Sequence, residues 1–223
     1  MKDHSDFNAM KYSVPSAMSR HEDVRIRKVL QLIGSGKRVL DVGCYDGTIS
    51  QAIKAAGNDV YGCETSPVAA RMAREKGITV AECDLEAAEW PALGRRFDVI
   101  FAGEVIEHIF DTDAFLKKLY GLLEDGGSLI LTTPNIASLG RRLLLLCGMN
   151  PLVETTARGD DAGHIRYFTM RSLVTLLEEN GFAVRDTLSD VVTFARSGAV
   201  YCGFLAALFP SFGRTLIVRT VKK

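Results

Sequence analysis

Two short stretches carry residue types that do chemistry. One is Glu104-Val-Ile-Glu-His108. Glu104, Glu107 and His108 stand at i, i+3 and i+4, the spacing of one helix face. Two carboxylates and an imidazole thus share one face. A second imidazole, His164, lies in Gly163-His-Ile-Arg-Tyr-Phe-Thr169. Histidine titrates near neutral pH, so His108 and His164 are candidate general bases, with Glu107 beside them. The blander reading is that acids in a first helical turn complement the helix dipole. Arg166 either grips a phosphate or carboxylate of a substrate or pairs with Asp160 or Asp161 in its own loop.

The other stretch is Gly43-Cys-Tyr-Asp-Gly47, which cuts off the apolar run Val39-Leu-Asp-Val42. Strand, glycine turn and helix start is the order expected, and in open α/β sheets ligands bind where such turns sit. A dinucleotide prefers G-x-G-x-x-G. The spacing here is G-x-x-x-G with Tyr45 inside it, so that fingerprint fails.

These residues need elements to hold them. Strands are expected over residues 38–42, 59–63, 78–82, 97–102 and 128–133, alternating with helices over 21–33, 48–56, 67–76 and 114–123. Ser66-Pro67 suits a helix start, because serine caps and proline lacks an N–H that would be orphaned there. Gly126-Gly127 reads as the end of the helix over 114–123. Strands and helices alternating at this spacing imply a parallel sheet with crossover helices. Beyond residue 135 the pattern loosens into an apolar helix over 136–147, a long loop over 148–168, a helix over 170–180, a strand over 182–188, an apolar helix over 198–209 and a last strand over 215–221. Long loops in compact domains are often functional.

With 223 residues and 47% of them hydrophobic, the chain can bury one good-sized core. Lys+Arg and Asp+Glu both total 27, which argues against a nucleic-acid partner. Five scattered cysteines without a CxxC pair suggest reduced thiols and a cytoplasmic protein, with Cys44, Cys63 and Cys83 as small packing residues. The first twenty residues lack the apolar core of a signal peptide. Arg141-Arg-Leu-Leu-Leu-Leu-Cys147 and the apolar segment ending at Phe209 are too short to span a bilayer. They would cover the sheet, make a dimer contact, form an apolar pocket or rest peripherally on a membrane.

Val39-Leu-Asp-Val-Gly-Cys-Tyr-Asp-Gly47 resembles motif I of class I S-adenosylmethionine-dependent methyltransferases, the group of the ubiquinone-biosynthesis O-methyltransferases. Phe97-Asp-Val-Ile-Phe101 and Glu124-Asp-Gly-Gly-Ser-Leu-Ile-Leu131 are similar to that family's fourth and fifth strand blocks. The resemblance spans residues 25–223. It implies S-adenosylmethionine as cofactor, held by Asp41, Gly43, Cys44, Tyr45 and Gly47 at the turn. Glu64 and Thr65 would stand at the ribose, Asp84 and Leu85 at the adenine, and Gly103 and Glu104 beyond the fourth strand. The chemistry agrees: a carboxylate accepts from two ribose hydroxyls, and a cationic sulfonium suits an acidic frame. Tyr45 departs from the commonest pattern, which has glycine there.

A related group, the small-RNA 2′-O-methyltransferases, holds a magnesium-like ion with two such acids and two histidines. By that likeness Glu104, Glu107, His108 and His164 would bind Mg²⁺ or Mn²⁺. The expectation is an α/β, Rossmann-like sheet of seven mostly parallel strands in the order 3-2-1-4-5-7-6, with helices on both faces and the last strand antiparallel at one edge. Residues 1–20 would form an N-terminal lid segment, and residues 21–223 the methyltransferase domain, with an acceptor-site insertion at about 135–170. The expected reaction is O-methylation of a hydroxyl on a small, lipid-linked or glycan acceptor. The alternatives are a metal-dependent RNA 2′-O-methyltransferase and a cofactor-binding interaction protein without turnover. Acceptor, methylated atom and oligomeric state stay open.

Overall fold

The computed structural model describes residues 20–87, 90, 93–151, 163–194 and 200–223. The expected lid over residues 1–20, all but its last residue, and the Asp160 and Asp161 pairing lie outside them. Helix α1 (Arg20–Ile33) leads into β1 (Arg38–Val42), α2 (Thr48–Ala55), β2 (Asp59–Glu64), α3 (Pro67–Glu75) and β3 (Thr79–Glu82). Then come β4 (Phe97–Gly103), a 3₁₀ turn (Ile106–His108), α4 (Thr112–Leu122), β5 (Leu123–Pro134) and α5 (Leu139–Leu146). The chain ends with α6 (Met170–Glu179), β6 (Phe182–Ser189), β7 (Val192–Thr193), β8 (Tyr201–Cys202), α7 (Gly203–Leu208), a second 3₁₀ turn (Pro210–Phe212) and β9 (Thr215–Lys222). The main sheet runs β3-β2-β1-β4-β5-β9-β6, the expected order with β9 as its seventh strand.

Alternation along the strands splits the core into two layers. Leu40, Val42 and Ile100 pack with Phe115, Leu116 and Leu119 of α4 and Leu173 and Leu177 of α6. Val39, Val99 and Phe101 face the other way, onto Val29 and Ile33 of α1 and Ile53 of α2. Side chains buried this fully each contribute roughly 1.5–3 kcal/mol. At the amino ends of β1, β4 and β5, away from the glycine turn, Arg38 Nη2 bonds Asp98 at 2.7 Å and Glu124 at 3.1 Å. Arg38 holds the Asp98 carboxyl down to about 2, chiefly through these hydrogen bonds.

Helix starts follow side-chain chemistry. Ser66 accepts the Ala69 N–H ahead of Pro67, as expected, and Asp111 accepts the Ala114 N–H at 2.9 Å. Several expectations need correction. β9 is antiparallel but lies one strand in from the edge, between β5 and β6, and β6 forms the edge. Gly126-Gly127 does not end α4. The helix stops at Leu122, and the glycines form an irregularity inside β5, where pairing with β4 skips from Leu123 to Ser128. α5 begins three residues later than expected, because Asn135 Oδ1 captures the Ala137 N–H in a local turn. Of the apolar helix expected over 198–209, residues 198 and 199 lie outside the described residues, Tyr201–Cys202 form strand β8 paired with β7, and the helix α7 covers only Gly203–Leu208. Tyr201 and Cys202 pair with Val192 and Thr193, so strand preference wins there. The five cysteines are not all thiols: Cys63 and Cys83 form a disulfide, while Cys44, Cys147 and Cys202 are free.

Candidate active site

The glycine turn is built by close approach. Gly43 has φ +69°, and a Cβ there would meet Val105 Cγ2 at 2.7 Å. Gly47 has φ +76°, and its Cβ would meet the Ala73 backbone at 2.9 Å. Both positions therefore require glycine. Tyr45 is itself left-handed, at φ 49°, and its N–H donates to Glu64 Oε2 at 2.9 Å. The departure at Tyr45 is thus absorbed by the acid at the end of β2. Glu64 Oε1 accepts the Ser66 N–H at 2.8 Å, so the carboxylate is fixed by backbone on both oxygens and keeps lone pairs for a diol. Burial pushes its pKa up.

Asp41 is buried and accepts from Ser50 Oγ at 2.6 Å. Burial, with the Glu64 charge added, pushes its carboxyl up to about 7. A bound cation would restore its charge. Thr65 Oγ1 bonds the Cys83 carbonyl at 3.1 Å, and Asp84 is exposed and accepts the Glu86 N–H at 2.9 Å. The Cys63–Cys83 disulfide joins the residues just before Glu64 and Asp84, so a covalent link ties the two acid-bearing strand ends. Cys44 is a buried packing thiol, raised by desolvation, and a Cβ at Gly62 would meet its sulfur at 2.6 Å. Leu85 packs at the margin of the core, and Gly103 closes β4. These residues fit S-adenosylmethionine: a glycine cradle a side chain would fill, a fixed carboxylate for the ribose, and buried negative charge for a sulfonium.

The acceptor side departs from the single helix face expected. Glu104 is left-handed, at φ 58°, and its N–H donates to the Thr132 carbonyl at 2.9 Å. The turn begins only at Ile106, so Glu104 lies outside it. Glu107, His108 and His164 do converge, with candidate ligand atoms all within 4.8 Å of one another. Glu104 is not in that set. His108 Nδ1 lies 3.1 Å from the Gly163 carbonyl, which only accepts, so Nδ1 carries a proton. The rings of His108 and His164 stand 4.9 Å apart.

Glu107 is 1% exposed. Oε2 accepts from Thr133 Oγ1 at 2.9 Å, while Oε1 has no hydrogen-bond partner; His164 Nε2 stands 3.9 Å from it. Burial, then the Glu104 charge, pushes the Glu107 carboxyl up to about 8. A buried oxygen with a free lone pair beside two imidazoles is a donor set that fits a divalent cation. The segment carrying His164 is docked by the N–H groups of Ile165 and Arg166, both bonding the Glu107 carbonyl, and by the Ile136 N–H to the Phe168 carbonyl. Neither partner expected for Arg166 lies among the described residues. Its guanidinium braces the carbonyls of Ile109 and Phe110.

Sequence reasoning missed the supports of these acids. Ser50 and Thr133 are ordinary hydroxyls at a distance. Arg25, which meets Glu104, had one visible signal: a cation on the apolar stripe of α1 beside Ile26 and Val29.

The family described as "Methyltransferase domain" matches residues 18–187, well over half of the chain. The chain belongs to it, as a class I S-adenosylmethionine-dependent methyltransferase domain. It is similar to the ubiquinone biosynthesis O-methyltransferase of Cereibacter sphaeroides, at 36% identity over 104 residues, 45% of this chain and 42% of that protein. It is also similar to the mitochondrial ubiquinone biosynthesis O-methyltransferase of Mus musculus, at 28% identity over 173 residues, 74% of this chain and 46% of that one. The matches thus cover under half the length of these relatives. Among solved structures, a SAM-dependent methyltransferase from Thermotoga maritima superposes with a TM-score of 0.67 at 18% identity, covering 92% of this chain and 90% of that one. Magnesium protoporphyrin IX methyltransferase from Synechocystis, with bound SAH, gives 0.63 at 21% identity, covering 98% and 94%. At these identities the likeness is one of fold.

Proposed function

We propose that the protein transfers the methyl group of S-adenosylmethionine to a hydroxyl oxygen of a small lipid-linked acceptor, with a divalent metal held by Glu107, His108 and His164. The observation that carries this reading is the meeting of those three residues beside the cofactor turn. Val105, two residues before Glu107, packs on Gly43.

S-adenosylmethionine, when bound, would supply an electrophilic methyl, its S–C bond giving way to an O–C bond with S-adenosylhomocysteine leaving and the hydroxyl proton released. A metal ion held by Glu107, His108 and His164 would supply Lewis acidity that lowers a hydroxyl's pKa. Glu64 receives the ribose, Asp41 answers the positive charge, and Asp84 stands near the adenine edge. With His108 and His164 engaged as ligands, a hydroxyl acidified by the ion would lose its proton to solvent; without the ion either imidazole would take it. Methyl transfer asks chiefly for alignment, so positioning is most of the protein's work.

The two ubiquinone biosynthesis relatives are O-methyltransferases by name, which supports a hydroxyl acceptor. The lipid-linked class rests on the surface around α5 and α7. No residue of α5 is buried; Leu143, Leu145 and Leu146 are exposed beside Arg141 and Arg142. Phe204, Leu208 and Phe209 add exposed apolar area nearby, and α5 and α7 both contact β7. Charges at residues 139–150 and 200–214 are all cationic, namely Arg141, Arg142 and Arg214, which suits an anionic lipid surface. No helix among the described residues is long and apolar enough to cross a membrane.

The test is methyl transfer from labelled S-adenosylmethionine to phenolic and polyprenyl-phenolic probes in anionic vesicles, with the metal removed by chelator and then restored. The expected product is a metal-dependent methyl ether formed fastest on the vesicle-bound probe. Metal-independent transfer to an amine probe would overturn the reading, and loss of the vesicle preference would remove its lipid part.

A further inference from the structure

Glu104 and Glu107 are three residues apart and end in opposite company. Arg25 is 8% exposed, and its Nη1 stands 2.8 Å from Glu104 Oε1 and 3.3 Å from Thr132 Oγ1. Thr132 Oγ1 donates to the same Glu104 oxygen at 2.9 Å. A buried guanidinium thus neutralises Glu104 and a hydroxyl fixes it, while the neighbouring Glu107 keeps a buried oxygen with no hydrogen bond. The Arg25–Glu104 pair lines a cavity of about 80 Å³ together with Glu22, Asp190, Arg214 and Thr215. Neither Glu107, His108 nor His164 lines it. The two acids therefore have different partners, although the sequence spacing suggested a shared one.

We propose that Arg25 is a resident cation that holds Glu104 out of the metal site, leaving a three-ligand Glu107/His108/His164 centre with coordination positions free for the acceptor hydroxyl. The inference rests on the metal reading above and refines it. A four-ligand set would give the ion two carboxylates and leave less room for substrate. One carboxylate with two imidazoles leans towards Mn²⁺, Fe²⁺ or Zn²⁺ over Mg²⁺. Arg25 then acts through Glu104 as a positioning residue. Its presence also explains how two acids so close in sequence coexist: one carries an arginine, the other awaits a different cation. Removing a partner from a buried pair leaves an uncompensated charge that seeks another cation.

The test is calorimetric titration of chelator-treated full-length protein with Mn²⁺, with paramagnetic resonance of the bound ion and circular dichroism to confirm folding. Wild type should bind one ion, and His164→Ala should weaken it at least about tenfold. Glu104→Gln should leave affinity within about threefold of wild type. Arg25→Met should tighten binding by about tenfold as Glu104 is released to the ion, and Arg25→Met/Glu104→Gln should abolish that gain. Arg25→Lys, which keeps the charge, should behave as wild type. A Glu104→Gln variant that loses Mn²⁺ as severely as His164→Ala would overturn the inference while sparing the metal reading. Wild type that takes up no Mn²⁺ or Zn²⁺ would overturn both. Glu104→Gln decides the matter even if Arg25→Met fails to fold.

Discussion

The half of the proposed site that would take the cofactor and the half that would take the acceptor are built by different means. At the ends of β1, β2 and β3, function lies in contiguous motifs. Gly43 and Gly47 occupy backbone conformations that side chains resist, and Glu64 is held by the N–H groups of Tyr45 and Ser66. Beyond β4 the parts come from far apart. His164 reaches Glu107 and His108 only because a loop 55 residues on docks against them. Its acids are set by side chains from α1 and β5: Arg25 on Glu104, Thr133 on Glu107. A cradle for an invariant cofactor can be written in backbone. A site for a particular acceptor is assembled by side chains, which vary without disturbing the sheet.

If the halves are separable, they should fail separately. The largest effect expected is from His164→Ala. Turnover should fall about a thousandfold, as for loss of a ligand of the ion that acidifies the acceptor hydroxyl, while affinity for S-adenosylhomocysteine stays within about twofold. Steady-state kinetics beside calorimetry would check this, and a parallel loss of cofactor affinity would break the division. Next in size is the Cys63–Cys83 cross-link, which closes a separation of 20 residues. Cys63→Ala/Cys83→Ala should cost about 3 kcal/mol of stability by chain entropy. It should also weaken S-adenosylhomocysteine binding, because the acid-bearing ends of β2 and β3 lose their link. Denaturant unfolding of oxidised and reduced protein would read it. Unchanged stability on reduction would show that the link contributes nothing to this half. Glu64→Ala should follow, with S-adenosylhomocysteine affinity down about 100-fold from the loss of two hydrogen bonds to a charged group. Mn²⁺ binding should not change.

The same division accounts for what was legible in the sequence. The glycine turn and the Ser66 cap were readable because each depends on neighbours within a few residues; the strand order and the place of Glu64 came with the family resemblance. Thr132 and Thr133 were not, since nothing local distinguishes a hydroxyl that binds a distant carboxylate. The single-face reading of Glu104, Glu107 and His108 failed because helical spacing presupposes a helix, and Glu104 is left-handed instead. The helix expected over residues 198–209 failed through a similar overreach: an apolar run alone does not separate helix from hairpin. The disulfide was hidden because Cys63 and Cys83 are brought side by side by parallel strands rather than by spacing.

The smallest effect is also the sharpest on electrostatics, because it touches one acid from each half. Asp41 is pushed up to about 7 and Glu107 to about 8, from ordinary values near 4. Between roughly pH 4 and 8 the folded, cofactor-free protein therefore holds protons that the unfolded chain has released. Stability then falls as pH rises through that window, and levels off above about pH 8. The raised Glu64 and Asp190 act in the same direction, while the lowered Asp98 acts near pH 2 to 4 and does not oppose them. Thermal melts should show a higher Tm at pH 5.5 than at pH 8. Asp41→Asn and Glu107→Gln should each flatten the profile and raise Tm at pH 8 by roughly 2–4 °C, about 1 kcal/mol at this chain length. S-adenosylmethionine should cancel the Asp41 part alone, and Mn²⁺ the Glu107 part alone, since each cation replaces the proton of its own acid. Titrations in buffers of different ionisation enthalpy would count the protons released. A Tm that rises steadily from pH 5.5 to 8 would mean that these carboxylates are already ionised in the fold, and that Glu107 needs no cation to complete it.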